Sequence, residues 1–160
     1  MKDRIGRAAV AAQEVLHFPP IDTHVLHSKH VRQTFNIQVM QPGQPNCRYH
    51  SEPVQEDFLV LYGECIVILD GEERSLRQWD FFHCPAWTEH VVVGAGDGPC
   101  VVLMIGARTP DEVLHYPTSE LADRYRAGAT EATSDPRVAY APFERSQRGR
   151  PTYWDQLPWA

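Results

Sequence analysis

The chain has 160 residues, 42% hydrophobic and 22% charged, with a formal net charge of −6 and a pI near 5.7. This is one globular domain's worth of sequence, with room for a core, and its acidic balance argues against a nucleic-acid or anionic-membrane surface. No apolar run reaches the length of a membrane span, and AAVAA at 8–12 is too brief for a signal-peptide core, so a cytoplasmic protein is expected.

In chain order, RIGRAAVAAQEVL in residues 1–18 predicts a short helix ended by Pro19-Pro20. DTHVLH reads as strand, and with no helix there to gather them, His17, His24, His27 and His30 are not expected to form a second metal site. TFNIQVM (34–40) alternates, placing Phe35, Ile37 and Val39 on one face, and QPGQPN is a turn cluster. DFLVLYGECIVILDGEERSL predicts strands on either side of Gly63 and a hairpin at Asp70-Gly71. QWDFFHCPAW and EHVVVGAGDGPCVVLMIGA add strands, the latter broken between Gly94 and Pro99. Short strands at about ten-residue spacing with Gly/Pro turns indicate an all-β sandwich or barrel.

Beyond Gly106 the pattern changes. TSELADRYRAG (118–128) predicts a short helix capped by Thr118 or Ser119 and ended by Gly128. The last thirty residues carry too many aromatics for a disordered tail and are expected to pack on the barrel or on a neighbouring subunit. The chain thus divides into an N-terminal extension (1–30), a barrel (31–107) and a C-terminal helix with a packed tail (108–160). Cys47, Cys65, Cys84 and Cys100 are widely spaced without a C-x-x-C pair, which argues against a disulfide framework or a zinc–thiolate site.

One stretch breaks the apolar logic. RYHSEPVQEDFLVLYGE sets His50, Glu52 and Glu56 directly before a core-like run. If residues 48–62 form strand, turn and strand, period-two alternation puts His50 and Glu52 on one face before the turn and Glu56, Phe58 and Val60 on a shared face after it. If that face is the barrel interior, His50, Glu52 and Glu56 converge near its mouth. CPAWTEH supplies His90 about forty residues on. Imidazole and carboxylate groups from separate strand pairs form a suitable ligand set for a divalent transition metal, and two His with one carboxylate is the facial arrangement of non-haem iron oxygenases. The bland reading is a polar, hydrated barrel mouth with no ion.

These residues resemble the cupin pattern. The family's first motif runs G, about five residues, H-x-H, three or four residues, E, six residues, G; here Gly43 precedes His50-x-Glu52, then three residues, Glu56, six residues and Gly63. The second motif, G, five residues, P-x-G, two residues, H, matches Trp79, five residues, Pro85-x-Trp87, two residues and His90. The gap after Gly43 is one residue long, Trp79 and Trp87 stand where the family has glycine, and Glu52 stands where it has its second histidine. The resemblance covers about residues 33–107 and implies a double-stranded β-helix (cupin, or jelly-roll) barrel with a short C-terminal helix and extended tail.

It also implies a metal held by His50, Glu52, Glu56 and His90, with iron, manganese or zinc as candidates. If Glu52 does not bind, it is a candidate catalytic general base. His50, Glu56 and His90 alone then resemble the ligand set of 3-hydroxyanthranilate dioxygenases, although no arginine matches their substrate-gripping ones. Function classes that follow are a metal-dependent, dioxygenase-like enzyme, a metal-anchored ligand-binding or sensor barrel, and a structural barrel. A small molecule is the expected partner, with Phe58, Val60, Tyr62, Phe82 and Trp87 lining its pocket, and a homodimer is the expected assembly. His83 and His115 are read as structural or surface residues.

Overall fold

A computed structural model of the chain describes residues 5–7, 24–27, 32–109, 113–142 and 154–159. Nine strands are described: β1 (Ile5–Arg7), β2 (His24–His27), β3 (Arg32–Met40), β4 (Glu56–Tyr62), β5 (Glu64–Leu69), β6 (Glu72–Arg77), β7 (Asp80–Cys84), β8 (His90–Ala95) and β9 (Cys100–Arg108). They form two antiparallel sheets, one of six strands in the order β1-β7-β4-β9-β3-β2 and one of three in the order β6-β5-β8. Two packed antiparallel sheets are what the strand spacing leads one to expect, and their cupin, or jelly-roll, arrangement is what the resemblance implies.

Alternation decides what lies between the sheets. Phe58 and Val60 of β4, Cys65, Val67 and Leu69 of β5, Val92 of β8, and Cys100, Val102 and Met104 of β9 meet in one buried cluster with Met40, Leu76, Phe82 and Cys84. The hairpin at Asp70-Gly71 joins β5 to β6 with Leu69 opposite Glu72. Both loop residues have positive φ (46° and 78°), the requirement of the two-residue turn that matches strand twist.

Gly63 turns β4 into β5 at φ 72°, and a Cβ there would sit 2.5 Å from the Pro99 carbonyl oxygen and 2.9 Å from Cys100 Cα. Both obstacles are backbone. Gly63→Ala is therefore expected to destabilise by roughly 3 kcal/mol, combining the left-handed conformation with a clash that no rotamer relieves. A urea titration checks this.

The outward faces are covered too. Ile68, Val91 and Val93 of the smaller sheet bury against Ala122 and Ala127, with Leu121 and Tyr125 alongside. On the larger sheet, Val39 and Val101 pack against Leu157, joined by Ile37, Trp154 and Trp159. The aromatic tail thus packs on this chain's own barrel, and the Ile37/Val39 face of β3 is its landing surface. Residues 143–153 of the predicted tail lie outside the described residues.

Three local expectations need correction. Ile5–Arg7, placed in a helix from sequence, is a strand paired with β7, because an open sheet edge offers more hydrogen bonds than a short isolated helix. The rest of that predicted helix lies outside the described residues. The helix expected over 118–128 is one turn, α1 (Glu120–Asp123), capped by the Ser119 hydroxyl, which accepts from the Ala122 N–H at 3.2 Å. It ends before Gly128, and Arg126 turns the chain with φ 57°. A second single turn, α2 (Pro136–Ala139), is capped by Asp135. Finally, β8 continues through Gly94 and Ala95, so the break before β9 is confined to residues 96–99.

Trp79 (φ 72°) and Trp87 (φ 62°) keep the left-handed backbone that glycine would adopt easily, at a cost of about 1–2 kcal/mol each. The turn geometry has been retained without the permissive residue.

Candidate metal centre

His50 is not on a long strand. Residues 48–52 contribute only isolated bridges, His50 to His90 and Ser51 to His115. The first bridge is a full exchange: the His50 N–H donates to the His90 carbonyl at 3.1 Å, and the His90 N–H to the His50 carbonyl at 2.8 Å. Their rings lie 4.7 Å apart between centroids. His90 opens β8 in phase with Val92, and Glu56 opens β4 in phase with Phe58 and Val60, so both continue core-facing rows to one end of the barrel. Gly106 of β9 pairs with Glu56, and a Cβ there would stand 3.0 Å from Glu56 Oε1; the missing side chain leaves space for the carboxylate.

One ligand atom from each of His50, Glu56 and His90 lies within 4.8 Å of the others. The imidazoles are oriented by the backbone. His50 Nδ1 is 2.7 Å from the Arg48 carbonyl, and His90 Nδ1 is 2.9 Å from the Thr88 carbonyl. A carbonyl oxygen only accepts, so each Nδ1 carries its hydrogen and each Nε2 is left as the ligating nitrogen. His90 Nε2 lies 3.0 Å from Glu56 Oε2. Two histidine nitrogens and a carboxylate, each supported by its neighbours, fit a divalent transition-metal ion.

The electrostatics differ between the two rings. Burial pushes His50 down to about 4, with repulsion from His90 adding to it. Burial opposes charge on His90 as well, but hydrogen bonds with Cys84 and Glu56 outweigh it and lift the group to about 10. Burial alone would raise Glu56; the hydrogen bond and charge of His90, with His50 and Arg108 contributing, hold it below its ordinary value.

A metal on Nε2 of His90 must therefore displace a proton. Loading near pH 7.5 is expected to release about one proton per ion, seen as a buffer-dependent heat in calorimetry; a buffer-independent heat would contradict the protonated pair. Without metal, stability should fall on both sides of neutrality. The raised His90 contributes fully below 6.5 and loses its contribution as pH climbs through about 10. The depressed His50 contributes above 6.5 and loses its contribution as pH falls toward about 4, and the lowered Glu56 acts in the same acid direction.

Glu52 is buried at 2% exposure but does not join this three-residue group. Its Oε2 lies 3.6 Å from Arg108 Nη1, and its carbonyl accepts from the Trp87 N–H at 2.7 Å. Among the expected lining residues, Phe58 sets its ring 5.6 Å from His90 and stacks on Phe82 at 5.8 Å, while Val60 lies in the core. Trp87 is 60% exposed. Tyr62 faces the other way: register shifts between Val60 and Tyr62, and its ring meets Trp159 at 5.8 Å on the outer face. That bulge reverses the parity on which the expectation rested.

His83 points outward and pairs with Asp57 at 2.7 Å, and the exposed His115 contributes its backbone to the Ser51 bridge. His17 and His30 lie outside the described residues.

Two residues near the centre escape sequence reasoning. Tyr116, from the segment after the barrel, places its buried ring 5.9 Å from that of His50. Arg108 ends β9 in phase with Gly106, an inward position that strand parity could have flagged. Arg48 turns from the site instead, donating to the carbonyls of Ala139 (3.0 Å), Arg126 (2.8 Å) and Gly128 (2.6 Å).

Among the described residues no helix is long and apolar enough to cross a membrane. Comparison with curated proteins finds no match. Among solved structures, a sugar phosphate isomerase of the cupin superfamily from Silicibacter pomeroyi DSS-3 aligns at 27% identity with a TM-score of 0.50, covering 53% of this chain and 56% of that one. This chain therefore spans little more than half of that relative. A cupin protein from Bacteroides fragilis aligns at 18% identity and a TM-score of 0.50, covering 64% and 89% of the two chains, which shows the fold alone. The family model described as the Cupin domain matches residues 36–106. That match spans both motifs and the strands that carry them, so residues 36–106 of this chain form a cupin domain.

Proposed function

We propose that this protein is a metal-dependent enzyme, dioxygenase-like in its ligand set, acting on a small molecule at the mouth of the barrel. The supporting observation is the convergence of His50, Glu56 and His90 with both Nδ1 atoms committed to backbone carbonyls. These three residues would hold the ion, with iron, manganese or zinc suited to the donors. A bound divalent ion would supply Lewis acidity and open coordination positions, and iron or manganese would add redox chemistry toward O₂.

The chain's own contributions are orientation and exclusion. The Arg48 and Thr88 carbonyls hold the imidazoles in one tautomer, and Glu56 takes the charge of the proton shared with His90 until that proton leaves. Phe58 and Tyr116 wall the histidines with aromatic surface, which keeps water from their outer sides. We assign Glu52 to Arg108 rather than to the ion, given their ion pair.

Metal analysis of protein purified without tag or chelator tests this reading. Near-stoichiometric iron or manganese, with O₂ uptake on small oxygen-donor substrates, supports it. Metal without turnover on any substrate would favour a metal-anchored ligand-binding barrel, and no metal even after reconstitution would sink both.

We further propose a cytoplasmic homodimer. Free thiols at all four cysteines support a reducing compartment, and the edge strand β6 of the smaller sheet supports self-association. Light scattering should give twice the 18.2 kDa chain mass.

A further inference from the structure

The inward row of β9 runs Cys100, Val102, Met104, Gly106, Arg108. Its first three members are core, the fourth makes room for Glu56, and the fifth, Arg108, is the next position of the same row at the end of the strand. The Arg108 side chain is 40% exposed, whereas its ion-pair partner Glu52 is 2% exposed. A buried carboxylate thus tethers a half-open cation at the end of the barrel where His50, Glu56 and His90 converge. Its charge is felt at both His50 and Glu56.

Charge balance indicates what belongs there. The Arg108–Glu52 pair is neutral as a unit, and Glu56 offsets one of the two charges of a divalent ion held with two neutral imidazoles. One positive charge remains, spread between ion and guanidinium. A single carboxylate balances it, whereas a phosphate monoester, carrying about −1.5 to −2 at neutral pH, overshoots. The fork of guanidinium N–H groups also suits a planar carboxylate.

We propose that Arg108 is the substrate-anchoring residue of this site: it pairs with a carboxylate of the small molecule while a neutral donor of that molecule meets the metal, and Glu52 positions the guanidinium. This rests on the metal-site reading above.

The test uses Co²⁺-loaded protein and two probes, imidazole and imidazol-4-ylacetate, which share a neutral nitrogen donor and differ by one carboxylate. Binding is followed in the visible cobalt spectrum. Wild type is expected to prefer the carboxylate probe by at least about tenfold, the scale of one charge-assisted hydrogen-bonded pair. Arg108→Gln is read by the ratio of the two probe affinities at full cobalt loading, so that a change common to both probes cancels. It should lose that preference, and Arg108→Lys, with charge but no fork, should fall between. An unchanged preference in Arg108→Gln would overturn the assignment while leaving the metal site standing. Failure of wild type to bind cobalt at all would overturn both.

Discussion

Alanine at His90 is expected to lower metal affinity by more than about 100-fold, beyond the 10–100-fold typical of losing a residue that merely supports a ligand. His90 supplies Nε2, its Nδ1 is already committed to the Thr88 carbonyl, and no neighbouring residue in the bridge can replace it. Glu56→Gln should behave similarly, because the amide is a weaker donor and carries no charge to offset the ion. Glu52→Gln is the informative comparison. If the three-residue group is the whole protein ligand set, this variant retains stoichiometric metal; loss of metal there would restore the four-ligand set implied by the motif. Circular dichroism of each variant separates loss of ligand from loss of fold, since His90 is buried in a core-facing row.

Arg48→Ala is expected to cost about 4 kcal/mol. Three carbonyls, from Arg126, Gly128 and Ala139, accept from this one buried guanidinium, and charge-assisted bonds contribute roughly 1.5–3 kcal/mol each before partial relaxation. The Tyr140 hydroxyl adds a fourth tie by accepting from the Arg48 N–H at 3.1 Å. Removing the guanidinium leaves those carbonyls buried with no donor, so the segment 113–142 should open ahead of the barrel. Hydrogen exchange would show protection falling first at Tyr116 and Thr133, whose mutual bridge holds that segment together. Because Tyr116 packs on His50, the same variant should also loosen the metal centre. Uniform loss of protection across the barrel would contradict a local latch.

The strands and the centre differ in how far they can be read from residues alone. TFNIQVM, FLVLY, CIVIL and HVVV announce themselves by apolar pattern, and Asp70-Gly71 by the positive φ its turn demands. His50, Glu56 and His90 stood out because polar groups interrupt apolar runs at motif spacing, and the structure brings these three together. Glu52 carried the same signal and lies outside the group, since residues 48–52 form single bridges rather than the regular strand that would fix its direction. Tyr62 was misplaced for a related reason. One bulge inverts every side chain beyond it, and nothing in the residues Val60-Leu61-Tyr62 declares the bulge.

What the sequence by itself determined is therefore local and periodic: an all-β chain, its principal turns, and the residue types able to ligate a metal. Those properties depend on neighbours a few positions away. Tertiary structure decided which of the candidates converge, that Arg108 reaches the same barrel end from β9, that Arg48 serves the C-terminal segment, and that the aromatic tail covers the outer sheet. Each depends on register and on pairings between residues far apart in the chain, such as Glu56 with His90, 34 positions away, and Arg48 with Tyr140, 92 positions away. The energy of such pairings is set by burial in the folded barrel, a quantity that no short window of sequence contains.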